Sequence, residues 1–357
     1  ECREDDADMR ALVATIDDPQ ARLVTSAERH VLVGINAACT TAVAALATYE
    51  SGQLRLRAEL TIHGRHTTAD LVEACAPADV AKARALGLRA SAVLAGSERP
   101  VLLIRSEGNE SDAESLDAYG IASITEPYVR ITPMTDGADA ASLVALLRAC
   151  AADTDLAERT WLVATSPMTV PSWLTAAKGA GLAEAVAVAA AAGVRAAATG
   201  ERTAATLRDL GFGEVRVPSE ASARGLVADL AGVIPGRALF PRGNLALRTL
   251  PDGLRDLGWK VDEGVVYLTS TVPERPASAD MIEQGQVSAV VVRSPSAVRA
   301  LIAHAQVPAT VPIVCAGRTT AEAATDTGLA VAAVAASPSS ADVARAVAGL
   351  LGSAGRA

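Results

Sequence analysis

From about residue 99 onward, short apolar runs alternate with segments of helical periodicity, and the alternation repeats itself. Leu102 to Arg105 predicts a strand followed by a helix from Ser111 to Tyr119, with Ser111 and Glu114 in capping-box spacing and Gly120 at the stop. Ala238 to Arg242 predicts a second such strand, leading into a helix that ends at Gly258. Each unit is followed by a strand carrying a tyrosine, Tyr128 and Tyr267. Two further strands, Trp161–Ala164 and Ala289–Val292, run to Ser166-Pro167 and Ser294-Pro295. Two more, Val194–Ala198 and Ile313–Cys315, reach Gly200-Glu-Arg-Thr203-Ala204 and Gly317-Arg-Thr-Thr320-Ala321, with Gly211 and Gly328 at matching distances beyond the threonines.

These turns have a shared physical logic. A serine at a strand end can cap the next helix, and the proline after it supplies a fixed φ where a missing N–H costs nothing. A glycine permits close backbone approach, and the following threonine is expected to cap its helix, with the later glycine as stop. Strand–helix alternation implies parallel sheets with right-handed crossovers, whose ligands bind beyond the carboxyl ends of the strands, where helix N-termini converge. Pro171 falls too deep in a helix capped by Ser166, so that helix either begins irregularly or restarts at Pro171.

Ala95 to Pro100 is a turn-rich break and the expected domain boundary. Before it, Ser26–Gly34 predicts a helix, Leu54–Ile62 an alternating strand closed by a His63-Gly64 turn, and Ala69–Leu86 a second helix, together a small α+β unit. None of the repeated turns lies here, so this unit is expected to be dispensable for their chemistry. Because the first residue is Glu1 rather than Met, the chain is read as a piece of something longer.

Composition narrows the chemistry. Half of the 357 residues are apolar but only 3% aromatic, so the cores must be built from Ala, Val and Leu. A net charge of −9 argues against binding nucleic acid through bulk charge, so an anionic ligand must be met by locally placed arginines or backbone N–H groups. Five scattered cysteines without metal spacing fit a reduced, cytoplasmic protein, and the Ala-rich stretch 185–194 is too short to span a membrane. There is no phosphate loop and no Gly-x-Ser-x-Gly, and Gly179-Ala-Gly181 lacks the third glycine of a dinucleotide site. His63 and His66 flank a turn glycine, and His304 is read as a helix-surface residue.

A single Gly-x-x-Thr-Ala turn is ordinary, but a doubled one, with Ser-Pro turns at corresponding places, points to ligand binding. Arg105, Arg202, Arg242, Arg293 and Arg318 all stand at or beside the predicted turns.

In this order the residues resemble the uroporphyrinogen-III synthase family over 99 to about 353: Arg105, Thr165-Ser166-Pro167, Gly200-x-x-Thr203-Ala204, Phe240-Pro-x-Gly243-Asn244, Tyr267, Ser294-Pro295, Gly317-x-x-Thr320-Ala321 and Ser337-Pro338. Arg293 departs from the family, where an apolar residue or Thr is usual. The resemblance implies two α/β domains with parallel sheets (99–133 plus 269–353, and 134–268), joined by a two-strand crossover around a cleft. It implies cyclisation of hydroxymethylbilane with inversion of ring D and loss of water, without metal or organic cofactor. Tyr267 would protonate the leaving hydroxyl, a phenol with pKa near about 10 being protonated at neutral pH. Thr203, Thr320, Ser166, Ser294, Arg105, Arg202, Arg242, Gly243, Asn244 and Arg318 would bind substrate.

Residues 1–95 resemble the C-terminal part of porphobilinogen deaminase, with Glu1-Cys-Arg-x-Asp-Asp and Glu28-Arg29-x-x-Leu32-x-x-Ile35 leading to Cys39. That family attaches a dipyrromethane at this cysteine. Here Asn36-Ala-Ala-Cys39 replaces the usual Gly-Gly-Cys, the catalytic domains are absent, and Cys39 is expected to be unmodified. The missing deaminase domains of a longer parent chain are candidate partners; nucleic acid and membrane are not. A non-catalytic tetrapyrrole-binding or regulatory module of the same fold is the alternative reading.

Overall fold

The computed structural model describes residues 3, 6–62, 64–97, 99–104, 110–134, 137–177 and 180–354. By internal contacts the chain divides into two units, Glu1–Val129 with Thr271–Ala357, and Arg130–Ser270.

The chain opens with helices α1 (Ala7–Ala14) and α2 (Pro19–Gly34), the latter starting at the Asp18 cap rather than at Ser26. Strands β1 (Ala42–Glu50), β2 (Gln53–Ile62) and β3 (Arg65–Ala74) form an antiparallel sheet in the order β1-β2-β3. Helix α3 (Val80–Leu94) follows. The expected helix over Ala69–Leu86 is therefore corrected: its first part is β3, where Ala69, Leu71 and Glu73 alternate inward and pair with β2. Helices α2 and α3 cross at glycine contacts. A Cβ on Gly87 would lie 2.4 Å from the Ala27 carbonyl, and one on Gly34 would lie 2.0 Å from Ser91 Oγ.

Strands β4 (Val101–Leu103) and β5 (Ser123–Thr125) flank helix α4 (Glu110–Asp117). That helix begins before Ser111, whose hydroxyl meets Ser340 rather than closing a capping box. The chain then enters the second unit through β6 (Val129–Pro133), α5 (Ala138–Ala151), α6 (Thr154–Ala157), β7 (Thr160–Ala164), α7 (Thr169–Ala176), α8 (Leu182–Ala191) and β8 (Arg195–Ala198). It continues through α9 (Glu201–Leu210), β9 (Val215–Arg216), α10 (Ala223–Leu230), β10 (Arg237–Gly243), α11 (Thr249–Asp256) and β11 (Lys260–Thr271). Back in the first unit come α12 (Ser278–Glu283), β12 (Ala289–Val292), α13 (Pro295–His304), β13 (Ile313–Cys315), α14 (Arg318–Asp326), β14 (Val331–Val334) and α15 (Ser340–Ala354).

Both larger sheets have the parallel α/β construction that the alternation predicts. The second unit holds the order β6-β11-β10-β7-β8-β9, with parallel pairing from β11 to β9. The first unit holds β14-β13-β12-β4-β5, parallel throughout. Period-two alternation sends side chains to opposite faces. On β7, Leu162 and Ala164 pack under α5, α7, α8 and α9, while Trp161 and Val163 pack under α10 and α11. On β4, Val101 and Leu103 face α4 and α15, whereas Leu102, with Ile104 just beyond the strand, faces α12 and α13.

Helix α3 joins that last core. Its Leu88 and Ala92 are buried against Leu102, Ile104, Ile124 and Tyr128, while its Leu86 and Leu94 belong to the core over the N-terminal sheet. Polar contacts run across the same junction. The buried Glu126 carboxylate accepts the backbone N–H groups of Ala277 and Ser278, and His30 of α2 lies 3.8 Å away. Burial lowers the His30 pKa, against the pull of Glu126. Arg84 of α3 pairs with Glu274 at 2.5 Å. His304 is not a free surface group: it is half-buried, its Nε2 meets the Val272 carbonyl at 2.8 Å, and its ring stands edge-on to Tyr128. Among the described residues no helix is long and apolar enough to cross a membrane, and no group of three or more His, Cys, Asp or Glu could hold a metal.

Candidate active site

In the second unit, the expected functional residues follow the carboxyl ends of neighbouring parallel strands. Gly243 ends β10 and pairs in register with Tyr267 of β11, just past an irregularity between Arg242 and Gly243. Ser166 follows β7, and the Gly200 turn follows β8. Thr199 ties these two together, its N–H on the Ala164 carbonyl and its hydroxyl on the Thr165 carbonyl.

Tyr267 is 8% exposed. Burial raises its pKa, opposed by the hydroxyls of Ser166 and Thr169, so the phenol is protonated throughout the neutral range. The ring packs closely against Gly243, where a Cβ would come 2.5 Å from Cε2 and 2.9 Å from the phenol oxygen. Its partner in the repeat, Tyr128, is fully buried and bonded to Ser278 at 2.9 Å, which makes it a packing residue.

Ser166 does not cap a helix. Its Oγ accepts the Met168 N–H at 3.2 Å in a short turn, and α7 begins only at Thr169. Pro171 then sits in the first turn, where no intrahelical N–H is needed, which resolves its awkward spacing. Ser294 does cap α13, accepting the Ala297 N–H at 3.2 Å with Pro295 at the first helical position. Its hydroxyl also meets Ser296 at 2.9 Å.

The threonine caps are corrected. Helices α9 and α14 are preceded by Gly200 and Gly317 at the cap positions, both fully extended (φ −170° and −176°), with no side-chain cap. Thr203 and Thr320 occupy the third helical position, each 4% exposed, and among the described residues neither hydroxyl has a hydrogen-bond partner. Extended backbone suits any residue, and a Cβ at Gly317 would meet nothing within 4 Å. Neither the conformation nor the packing therefore explains this glycine.

The arginines separate into distinct groups. Arg105 lies outside the described residues. Arg202 and Arg318 are exposed in the first turns of α9 and α14 and pair with no described residue. Arg242 is committed to Glu263, with Nε donating at 2.8 Å, and Arg248 and Arg255 converge on the same carboxylate. Burial pushes the Glu263 pKa up, but the three guanidiniums outweigh it and hold the carboxyl below its ordinary range. Arg293 is 8% exposed and donates to buried Asp112 at 2.7 Å and to the Pro338 carbonyl, fixing the Ser337-Pro338 turn to α4. Arg293 and Asp112 thus form a buried ion pair.

Asn244 is also occupied. Its Oδ1 accepts the Thr269 N–H at 2.8 Å and its Nδ2 reaches the Thr269 carbonyl at 3.4 Å, while its own N–H meets the Tyr267 carbonyl at 3.1 Å. The side chain thus continues the β10–β11 ladder past the end of β10 and holds the strand that carries Tyr267. Thr169, which sequence reasoning passed over, is fully buried, and its hydroxyl, like that of Ser166, pulls the Tyr267 pKa down against burial. Cys39 is exposed as a free thiol in the turn between α2 and β1.

A family profile described as uroporphyrinogen-III synthase HemD matches residues 110–344, the greater part of the chain. The chain belongs to the uroporphyrinogen-III synthase family. Uroporphyrinogen-III synthesis is the function that this membership supports. The profile leaves the first 109 residues unmatched. Solved uroporphyrinogen-III synthases are similar at low identity. A Thermus thermophilus mutant enzyme is 18% identical, with 72% of this chain and 98% of that one covered and a TM-score of 0.45. A Helicobacter pylori uroporphyrinogen-III synthetase is 18% identical, with 69% and 97% covered and a TM-score of 0.46. No curated protein matches the chain.

Proposed function

We propose that this chain cyclises hydroxymethylbilane to uroporphyrinogen III with inversion of ring D and loss of water, and that Tyr267 donates the proton to the departing hydroxyl. The observation that carries this reading is the Tyr267 phenol, kept protonated by burial and seated against Gly243 at the carboxyl end of β10. Loss of the hydroxyl leaves an electrophilic azafulvene. Ring D attacks it through its substituted carbon, and the spiro intermediate fragments and recloses inverted. The substrate also closes without help to the uninverted isomer, so much of the catalysis consists of holding its two ends in the less accessible arrangement.

Thr203 and Thr320, with the backbone N–H groups at the starts of α9 and α14, are the proposed sites for acetate and propionate carboxylates. Arg202 and Arg318, which pair with no described residue, would assist them. Arg242 and Asn244 act on the protein itself, through Glu263 and Thr269.

The test is isomer analysis of the porphyrinogen formed when hydroxymethylbilane is added. Type III product well above the spontaneous background supports the enzyme. Spontaneous type I product alone, with the tetrapyrrole still bound, would establish the alternative of a binding module.

For residues 1–95 the proposal is a fragment like the C-terminal domain of porphobilinogen deaminase, supported by a helix leading to exposed Cys39 and a three-stranded antiparallel sheet. In the chain as it stands, Cys39 should carry no dipyrromethane by intact mass and porphobilinogen alone should not be consumed.

A further inference from the structure

Three helix-starting turns at the carboxyl end of the first unit's parallel sheet are tied together by one buried ion pair. Arg293 directly follows β12, its side chain 8% exposed, and its Nη1 donates to Asp112 Oδ1 at 2.7 Å. Asp112, 1% exposed, stands in the first turn of α4, the helix after β4, and β4 is the neighbour of β12. The other nitrogen, Nη2, donates to the Pro338 carbonyl in the turn between β14 and α15. A second bridge supports the first: Ser111 Oγ and Ser340 Oγ lie 3.0 Å apart and join the starts of α4 and α15. In the sheet order β13 lies between β12 and β14. The turn after β13, which carries Gly317 and Thr320, therefore emerges between two turns that Arg293 holds together.

The pair is a poor source of stability. Taking two charges out of water costs about what their attraction returns, and apolar residues of similar volume often do as well or better. Here the return is incomplete, because Asp112 Oδ2 is buried without a hydrogen-bond partner among the described residues. What an apolar pair lacks is direction. A guanidinium holds its nitrogens in one plane, so it sets the angle between two acceptors as well as their distances. In this protein the two acceptors belong to two different turns.

We propose that Arg293 is a positioning residue: through Asp112 and Pro338 it fixes the turns at the carboxyl end of this sheet, holding Ser294 and Thr320 in the arrangement that favours the inverted product. This rests on the reading of the chain as a uroporphyrinogen-III synthase in which Thr320 meets a substrate carboxylate. Arg293 is buried, so it acts through these turns and not on the substrate. Its effect falls on the choice between two closures of one molecule. Spontaneous closure needs no particular placement of the substrate's ends, whereas inverted closure does. A slight loss of alignment costs isomer selectivity before it costs the fold.

The experiment replaces the pair with apolar residues, Asp112→Leu together with Arg293→Met, and compares Tm, kcat/KM and the ratio of type III to type I product with the parent. The double variant should be at least as stable as the parent. Its kcat/KM should nevertheless fall by about 10²-fold, the scale of a misplacement of about 1 Å, and its product should shift toward type I. Arg293→Lys keeps a charge opposite Asp112 without the planar fork, so it should hold the parental Tm and lose part of the selectivity. Parental kcat/KM and isomer ratio in the double variant would overturn the proposal, as would losses no larger than the loss of folded protein. Should the double variant not fold, the same outcomes in Arg293→Lys decide. If the parent itself makes no type III product, the synthase reading fails. Weaker binding of uroporphyrinogen III to the folded variant would then still show that the pair positions a tetrapyrrole site, and equal binding would overturn that as well.

Discussion

Gly243 and Tyr267 are packed so closely that a single methyl group cannot be placed between them: a Cβ on Gly243 would lie 2.5 Å from Cε2 and 2.6 Å from Cζ of the ring. The two residues are also register partners on adjacent parallel strands, so neither backbone can retreat without breaking the ladder.

Gly243→Ala should therefore displace the phenol rather than the strands. Overpacking of this kind costs about 1–3 kcal/mol, visible as a lower Tm, and turnover should fall further than stability explains. Removing the ring isolates the contact. In a Tyr267→Ala background, Gly243→Ala should cost far less stability, and equal costs in the two backgrounds would show that the ring is not what the methyl group meets.

Tyr267→Phe preserves that packing and removes only the oxygen. Turnover should drop by about 10²–10⁴-fold, the usual worth of general acid catalysis, with little change in Tm. As enzymatic closure slows, spontaneous closure should overtake it and shift the product toward the uninverted isomer. Parental rate and isomer ratio in a folded variant would remove Tyr267 from the mechanism.

Thr203→Val and Thr320→Val replace hydroxyls that bond to no described residue with methyl groups of the same shape. Because these threonines are not helix caps, stability should stay within about 0.5 kcal/mol of the parent. A rise in KM for hydroxymethylbilane would then report lost carboxylate contacts. Unchanged kinetics in both variants would leave the threonines as packing residues.

Deleting residues 1–98 should be costly even though none of the repeated turns is lost. The deletion uncovers the face of Leu102, Ile124 and Tyr128 that Leu88 and Ala92 bury, and takes His30 from Glu126 and Arg84 from Glu274. The shortened protein should show a lower Tm and expose apolar surface to a hydrophobic dye, while the fraction that stays folded retains type III product. Unchanged stability would mean that α3 is not part of that core.

The strand-to-helix turns were legible because each rule involved is local. Ala289–Val292 and Ile313–Cys315 are strands at the predicted residues, Ser294-Pro295 caps its helix, and Gly211 and Gly328 adopt the positive φ of helix stops. What failed depended on contacts distant in sequence. The Ala and Leu of 69–86 fit a helix until their alternation is set against β2. Thr203 and Thr320 looked like caps because threonine so often is one, but their burial is decided by the packing of the helix behind them. Thr169 gave no signal, since nothing local distinguishes a buried hydroxyl from an exposed one. The occupation of Arg242 and Arg293 by Glu263 and Asp112 needed partners 21 and 181 residues away.

The two chain passages between the units lie side by side: β6 and β11 are neighbours in one sheet, and the Val272 N–H meets the Tyr128 carbonyl at 3.0 Å. The second unit is thus a closed excursion, its entry and exit clasped at its base. Once the clasp forms, the excursion's length matters little to the remainder of the first unit, because the cost of closing a loop grows only logarithmically with its length. The sheet of β4, β5 and β12 can assemble as if its halves were joined by a short turn, and the enclosed segment is free to lengthen, shrink or be exchanged so long as its two ends still meet.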